Sequence, residues 1–201
     1  MVALIDYGAG NLKSVENALV FLGQECCITC DRDEIMTADR VILPGVGSFG
    51  EAMANIKSKN LVKTIEDVIG STKPFLGICL GLQLLFEYSE ESPGIPGLGI
   101  YKGGIKRFSD EVLKVPQIGW NSLDIKKSGG IFKGIPQNSY VYFVHSYYLK
   151  AEDLSIVASM TDYVTLFHSA IEDRNVSACQ FHPEKSGKTG LRILKNFCDI
   201  I

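Results

Sequence analysis

The stretch Gly77-Ile78-Cys79-Leu80-Gly81-Leu82-Gln83 carries the chemistry of this chain of 201 residues. A cysteine in Gly-x-Cys-x-Gly, after the apolar Phe75-Leu76 and before a helix-like run to Phe86, has the pattern of a nucleophile on a sharp strand-to-helix turn. Such a turn strains the backbone and crowds the positions two residues either side, so Gly77 and Gly81 remove side chains that would collide. It also sets Cys79 at a helix N-terminus, where unpaired N–H groups favour a thiolate. A thiolate nucleophile calls for a base. Among the histidines at 145, 168 and 182, the informative one is His182 in Phe181-His182-Pro183-Glu184. In an extended segment residues two apart point the same way, so Glu184 would orient His182. Cys79, His182 and Glu184 then fill the nucleophile, base and orienter roles of acyl transfer. His145 ends a strongly apolar strand and reads as structural or substrate-lining. His168 has no acidic neighbour at a useful spacing and reads as packed or surface.

Acyl chemistry also needs two N–H donors for the oxyanion, one from the residue after the nucleophile and one from a neighbouring loop. Leu80 supplies the first, and the Pro44-Gly45-Val46-Gly47 loop is placed to supply the second. The reason is topological: ligands of open α/β sheets bind beyond the carboxyl ends of the strands, where this loop and the Cys79 turn both fall.

The elements that must hold these groups follow from periodicity. Val2-Ala3-Leu4-Ile5, the run 26–30, Arg40-Val41-Ile42-Leu43 and Phe75-Leu76-Gly77-Ile78 read as buried strands. Between them lie helical patterns: Leu12, Val15, Leu19 and Leu22 up to Gly23, then 51–57 and 61–69. Alternation of this kind implies a parallel sheet with helices on both faces. From Gly99 to Ala178 the runs at 99–101, 122–125, 140–144, 155–158 and 166–171 are strand-like with Gly, Pro or Asn breaks, which predicts antiparallel strands added to the sheet. A strand at 176–181 and a helix carrying Leu191, Leu194, Phe197 and Cys198 close the chain. The expected fold class is α/β, an open and mainly parallel sheet with helices on both faces and added antiparallel strands, in one domain spanning 1–201.

Composition removes several function classes. At 46% hydrophobic and 21% charged the chain is an ordinary globular sequence, and its net charge of -3 gives no attraction to phosphate backbones or anionic membranes. Nucleic acid and membrane are therefore not expected partners. The start, Met1-Val2-Ala3-Leu4-Ile5-Asp6, has no basic region ahead of its apolar residues, so a cytoplasmic location is expected. Cys27-Ile28-Thr29-Cys30 is formally C-x-x-C, but no second pair follows at ligand spacing, and no metal is expected. Gly8-Ala9-Gly10 with Asp31 imitates a dinucleotide fingerprint, yet Lys13 stands at the third glycine position and leaves a tight turn as the better reading.

The elbow together with Phe181-His182-Pro183-Glu184 resembles the class I, triad-type glutamine amidotransferases, whose order of cysteine, histidine and glutamate it matches. Within that family, Asp6-Tyr7-Gly8-Ala9-Gly10-Asn11-Leu12, Leu43-Pro44-Gly45-Val46-Gly47-Ser48-Phe49, Pro116-Gln117-Ile118-Gly119-Trp120-Asn121, Phe143-Val144-His145-Ser146-Tyr147 and His182-Pro183-Glu184-Lys185-Ser186 together resemble the glutaminase subunit of imidazole glycerol phosphate synthase. Gln117 departs from that pattern, since relatives often carry histidine there. The resemblance implies a flavodoxin-like fold and hydrolysis of glutamine through a thioester on Cys79, with the oxyanion on the Val46 and Leu80 N–H groups. It places Gly47, Gln83, Glu87 and the Ser146-Tyr147 backbone around glutamine and calls for no cofactor. Ammonia in neutral water is mostly protonated and no longer nucleophilic, so a partner that receives it directly is expected. The resemblance makes this partner a (β/α)8-barrel cyclase subunit in a heterodimer, with Asn11, Trp120, Tyr142 and Lys185 near the contact, a core role for Trp120 standing beside the interface one. A glutaminase subunit of another synthase, such as that of pyridoxal phosphate synthesis, or a non-catalytic subunit of the same fold, is the alternative. If Cys79 is the activated thiol, a mild alkylating glutamine analogue labels it before Cys26, Cys27, Cys30, Cys179 and Cys198, and glutamine protects it; uniform labelling of the folded chain, read by peptide mass mapping, would count against the assignment.

Overall fold

The computed structural model describes residues 1–8, 10–109 and 113–200. Ala9 of the Gly8-Ala9-Gly10 turn lies outside the described residues. In chain order the elements are β1 (Val2–Ile5), α1 (Leu12–Phe21), β2 (Cys26–Thr29), α2 (Arg32–Thr37), β3 (Arg40–Leu43), α3 (Phe49–Ser58), α4 (Leu61–Gly70), β4 (Phe75–Ile78) and the single turn α5 (Leu80–Gln83). They continue with β5 (Phe86–Ser89), β6 (Tyr101–Arg107), β7 (Gln117–Ser122), β8 (Asp124–Ile125), β9 (Tyr140–His145), β10 (Tyr147–Ala151), β11 (Val157–Asp162), β12 (Leu166–Asp173), β13 (Val176–Cys179) and α6 (Gly187–Asp199).

The main sheet runs β2-β1-β3-β4-β13-β12-β10-β6-β5, with β11 on β12 and β8 on β11. Strands β2, β1, β3, β4 and β13 are mutually parallel. β12, β10 and β6 then pair antiparallel, and β5 closes the edge parallel to β6. The expected parallel sheet with antiparallel additions is therefore what forms. Strand alternation divides its core in two. Ala3, Ile5, Val41 and Leu43 face Ile35 of α2, Met53 and Ile56 of α3 and Ile65 and Val68 of α4, whereas Val2, Leu4, Ile42 and Leu76 face Val15 and Leu19 of α1 and Ile193 and Phe197 of α6. The period of two thus demands helices on both faces. α4 shows how each helix meets this demand, burying Leu61, Thr64, Ile65, Val68 and Ile69 at i, i+3, i+4, i+7 and i+8. Each fully buried Leu or Ile on such a stripe contributes about 1.5–3 kcal/mol.

Four local expectations are corrected. The run 26–30 is an edge strand rather than a buried one: β2 has a neighbour on one side only, and Cys26 and Cys27 are half-buried while Ile28 and Cys30 are exposed. A helix not anticipated, α2, follows β2 and is capped by Asp31, which accepts from the Asp33 and Glu34 N–H groups at 2.8 and 3.0 Å. The helix-like run after Cys79 stops after one turn because the Leu84 and Leu85 carbonyls are taken by the Leu98 and Tyr101 N–H groups. Lastly, 122–125 is not one strand. Ser122 ends β7, which pairs with β9 as a separate antiparallel ribbon, and β8 joins β11. Among the described residues no helix is long and apolar enough to cross a membrane.

A tight constraint lies where α5 packs on β3: a Cβ at Gly81 would sit 1.9 Å from the Leu43 carbonyl oxygen. Gly81→Ala is expected to destabilise the chain by about 1–3 kcal/mol, whereas Gly70→Ala, with open space at the end of α4, is neutral or slightly stabilising. Thermal or urea unfolding of the two variants checks the contrast.

Candidate active site

Cys79 occupies the turn between β4 and α5 with φ 53° and ψ -105°, a conformation that costs a non-glycine residue about 1–3 kcal/mol. Its N–H donates to the Cys179 carbonyl at 2.7 Å, which anchors the strained residue to β13. The crowding expected at Gly77 and Gly81 is real: a Cβ at Gly77 would meet the Gly81 carbonyl oxygen at 2.9 Å.

His182 follows β13 and is wholly buried. Its N–H donates to the Tyr142 carbonyl at 3.0 Å, and its Nδ1–H donates to Glu184 Oε1 at 2.8 Å. The pairing anticipated for an extended segment is achieved by another geometry: 183–185 is a 3-10 turn, which brings the Glu184 carboxylate back beneath the ring. His182 Nε2 is buried without a partner in hydrogen-bond geometry among the described residues. Burial pulls the His182 pKa down, but the interactions with Cys79 and Glu184 outweigh it and hold it up at about 10. Glu184 has a fully buried side chain. Burial would raise its pKa, but the bonds from His182 and from Asn11 keep it below the ordinary value. Asn11 Nδ2 donates to Glu184 Oε1 at 2.6 Å, a contact absent from the sequence reading.

A cavity of about 290 Å³ opens on Cys79 and is lined by Val46, Gly47, Leu80, Gln83, Glu91 and the 144–147 segment. Two sequence expectations change here. Glu87 does not reach the cavity; it is exposed and accepts from the Gly103 N–H at 3.0 Å, holding β6. The carboxylate on the cavity wall is Glu91, fixed by the Phe49 N–H at 2.7 Å. The Leu80 N–H is not a free oxyanion donor in this state, because the loop folds inward and the Gly45 carbonyl accepts from it at 3.3 Å. Gly45 itself lies against Tyr7, and a Cβ there would come within 2.1 Å of the hydroxyl.

The chain matches the class-I glutamine amidotransferase family model over residues 3–201. The chain belongs to the class I glutamine amidotransferase family. It is 50% identical to the imidazole glycerol phosphate synthase subunit HisH of Methanocaldococcus jannaschii, over 100% of both chains, and 45% identical to the HisH subunit of Bacillus cereus, over 100% of this chain and 95% of that one. In fold it is similar to PurLQS from Thermotoga maritima, with a TM-score of 0.78 and 18% identity over 98% of this chain and 97% of the other. As a class I glutamine amidotransferase it is an enzyme of glutamine hydrolysis, and the cysteine, histidine and glutamate general to that family have their counterparts in the residue types at 79, 182 and 184.

The amidotransferase exposes an apolar face on the β7–β9 ribbon. Ile118, Trp120 and Tyr140 are 63%, 54% and 59% exposed, which rules against a core role for Trp120. Trp120 meets Tyr142 edge-on at 6.1 Å, and Lys185 lies exposed after His182. His145 does line the cavity and is buried, while His168 is packed, accepting from the Ala151 N–H at 3.1 Å. Sequence reasoning missed Gln180, which is fully buried beside Cys79; its place two residues before His182 on an extended run was the available signal.

The pKa shifts fix the pH dependence of folding. Burial pushes His145 down to about 4, so the unfolded chain binds more protons there and stability falls as pH drops from about 6.5 towards 4. His182 is shifted the other way, so its contribution is complete below about 6.5 and lost as pH rises through about 10. Glu184→Gln removes one source of the second effect and is expected to flatten the alkaline limb, to take away the acid loss that the lowered Glu184 pKa itself causes, and to leave the His145 part of the acid limb in place, as melting temperature against pH will read.

Proposed function

We propose that this chain is the glutaminase subunit of an imidazole glycerol phosphate synthase, hydrolysing glutamine to glutamate and delivering ammonia to a (β/α)8-barrel cyclase subunit in histidine biosynthesis. The observation that carries the reading is the 50% identity to a HisH subunit along the whole of both chains.

In this reading Cys79 Sγ attacks the side-chain carboxamide carbon of glutamine, and His182 protonates the departing nitrogen so that ammonia leaves and a thioester remains. Water, giving a proton to His182, then attacks the thioester carbon and releases glutamate and the cysteine. Glu184 keeps the ring in the orientation that turns Nε2 towards the sulfur. Gly47, Gln83, Ser146 and Tyr147 surround the substrate, and the carboxylate of Glu91 offers a charge for its α-ammonium group. A cavity near 290 Å³ lies at the small end of the roughly 300–1,000 Å³ typical of ligand sites, a size suited to an amino acid.

The oxyanion forms between the Leu80 and Val46 N–H groups, which requires the Gly45–Val46 peptide to turn so that the Gly45 carbonyl releases Leu80. Loss of one such donor costs on the order of 10²–10³-fold in turnover. The closed loop therefore describes an idle enzyme, and the cyclase with its bound nucleotide shifts it towards the donating state. Asn11, Trp120, Tyr142 and Lys185 form the contact with the cyclase in a heterodimer: the exposed ribbon supplies apolar and aromatic area, and Asn11 ties that side to Glu184. The six free thiols suit a reducing cytoplasm.

The test is to measure glutamate release by the isolated chain and by its complex with a cyclase subunit and nucleotide, for wild type and Cys79→Ala. Release is expected to rise steeply in the complex, chiefly in kcat, and to vanish in the variant, which still supports synthesis from added ammonium salt. Loss of ammonium-dependent synthesis in an assembled complex, or equal turnover with and without partner, would sink the proposal.

A further inference from the structure

The Cys79 sulfur has one side-chain hydrogen bond among the described residues, and it comes from neither His182 nor Glu184. Gln180 Nε2 donates to Cys79 Sγ at 3.5 Å. Gln180 is fully buried where the chain leaves β13, with its backbone N–H held by the Ser169 carbonyl at 2.8 Å. A buried carboxamide can present either its oxygen or its amino group to a neighbour, and the identity of that end decides whether it repels or supports charge on sulfur.

Here the surrounding bonds make the choice. Gln180 Oε1 accepts from Gln83 Nε2 at 3.0 Å, and Gln83 Nε2 also donates to the Tyr147 carbonyl at 3.3 Å. The same carbonyl accepts from His145 Nδ1 at 2.7 Å, so that ring nitrogen carries the proton. His145 is neutral at neutral pH, because burial pushes its pKa down to about 4, and its Nε2 must therefore accept. The Gln117 carboxamide, with Oε1 placed 3.0 Å from Nε2, is read the other way round, its amino group donating. Each donor nitrogen in the row Gln117, His145, Gln83, Gln180 then has at least one acceptor. Turning the Gln180 amide over would strand the Gln83 N–H and aim an oxygen at the sulfur, a loss a buried network resists.

We propose that Gln180 is a further catalytic residue: its amino group, locked in direction by Gln83, holds the Cys79 sulfur at the cavity wall and supports negative charge on it. The inference rests on Cys79 being the nucleophile. Its effect adds to those of the other titratable groups that face the sulfur, Tyr7 from the end of β1, Cys179 from β13, and His182 with Glu184 beyond it. Gln180→Met introduces no charge beside these groups.

The test follows the rate of Cys79 alkylation by iodoacetamide against pH, with and without glutamine, in wild type, Gln180→Glu and Gln180→Met, alongside kcat and KM for glutamine in the cyclase complex. Gln180→Met keeps the bulk and removes the donor; it is expected to move the midpoint of the alkylation profile up by about one pH unit and to lower kcat about tenfold with little change in KM. Gln180→Glu sets a carboxylate against the sulfur and should move the midpoint further. An unchanged midpoint in folded Gln180→Met overturns the inference, as does a lower melting temperature with no shift in the profile, which would give Gln180 a purely structural part. Should Gln180→Glu not fold, Gln180→Met decides alone. Wild-type Cys79 that glutamine does not protect would instead refute the nucleophile reading, and the present inference with it.

Discussion

The structure depends on one unfavourable residue. Cys79 is held at positive φ, and every neighbour that keeps it there also belongs to the fold: β13 through the Cys179 carbonyl, β3 through the close approach of Gly81 to Leu43, and β4 through Gly77. Strain of this kind persists only where the surroundings over-determine it. A parallel sheet does so because β4 lies in its middle, paired on both sides by strands that cannot shift register without exposing a buried face. The same placement brings the carboxyl ends of β3, β4 and β13 together, and with them the Gly45–Gly47 loop, Cys79 and His182.

What the sequence disclosed is what short spacing can encode. The elbow lies within five residues, and His182 and Glu184 lie two apart, so their roles were legible even though the local geometry of the second pair was a 3-10 turn rather than an extended strand. The strands of the parallel half were legible because their apolar runs are bounded by turns. The contacts that tune the site were not. Asn11 and Glu184 are 173 positions apart, with nothing local to mark the pair, and Gln180 and Cys79 are 101 apart, marked only by the place of Gln180 two residues before His182. The resemblance alone places Glu87 at the substrate, yet that residue lies exposed on β5, whereas Glu91, just past the end of the strand, lines the cavity. Cys26 and Cys27 looked buried because an apolar strand carries no sign of whether a second neighbour will pair with it.

The triad also stands between two different surroundings. On one side lies the cavity, on the other the exposed ribbon with Trp120 and Tyr140, and Tyr142 and Asn11 each touch both the buried machinery and the outer face. Buried polar groups that are fully paired rigidify a site, and the row from Gln117 to Gln180 does this for the cavity wall. Pairing is less complete within the triad itself: Glu184 Oε2 and His182 Nε2 have no partner in hydrogen-bond geometry among the described residues.

The Gly45 carbonyl on the Leu80 N–H has a consequence for how the chain meets its substrate. If the Leu80 N–H receives the substrate oxyanion, as proposed, this peptide oxygen is an inhibitor built into the polypeptide, and being tethered it competes at a local concentration that dilution cannot lower. It does not fill the room needed by an amino acid, so it leaves ground-state occupancy alone and opposes only the species in which charge has developed on oxygen. Saturating the site with more glutamine therefore cannot displace it. Relief has to come from whatever moves the loop, which makes the rate of the resting chain a property of its own backbone rather than of its supply.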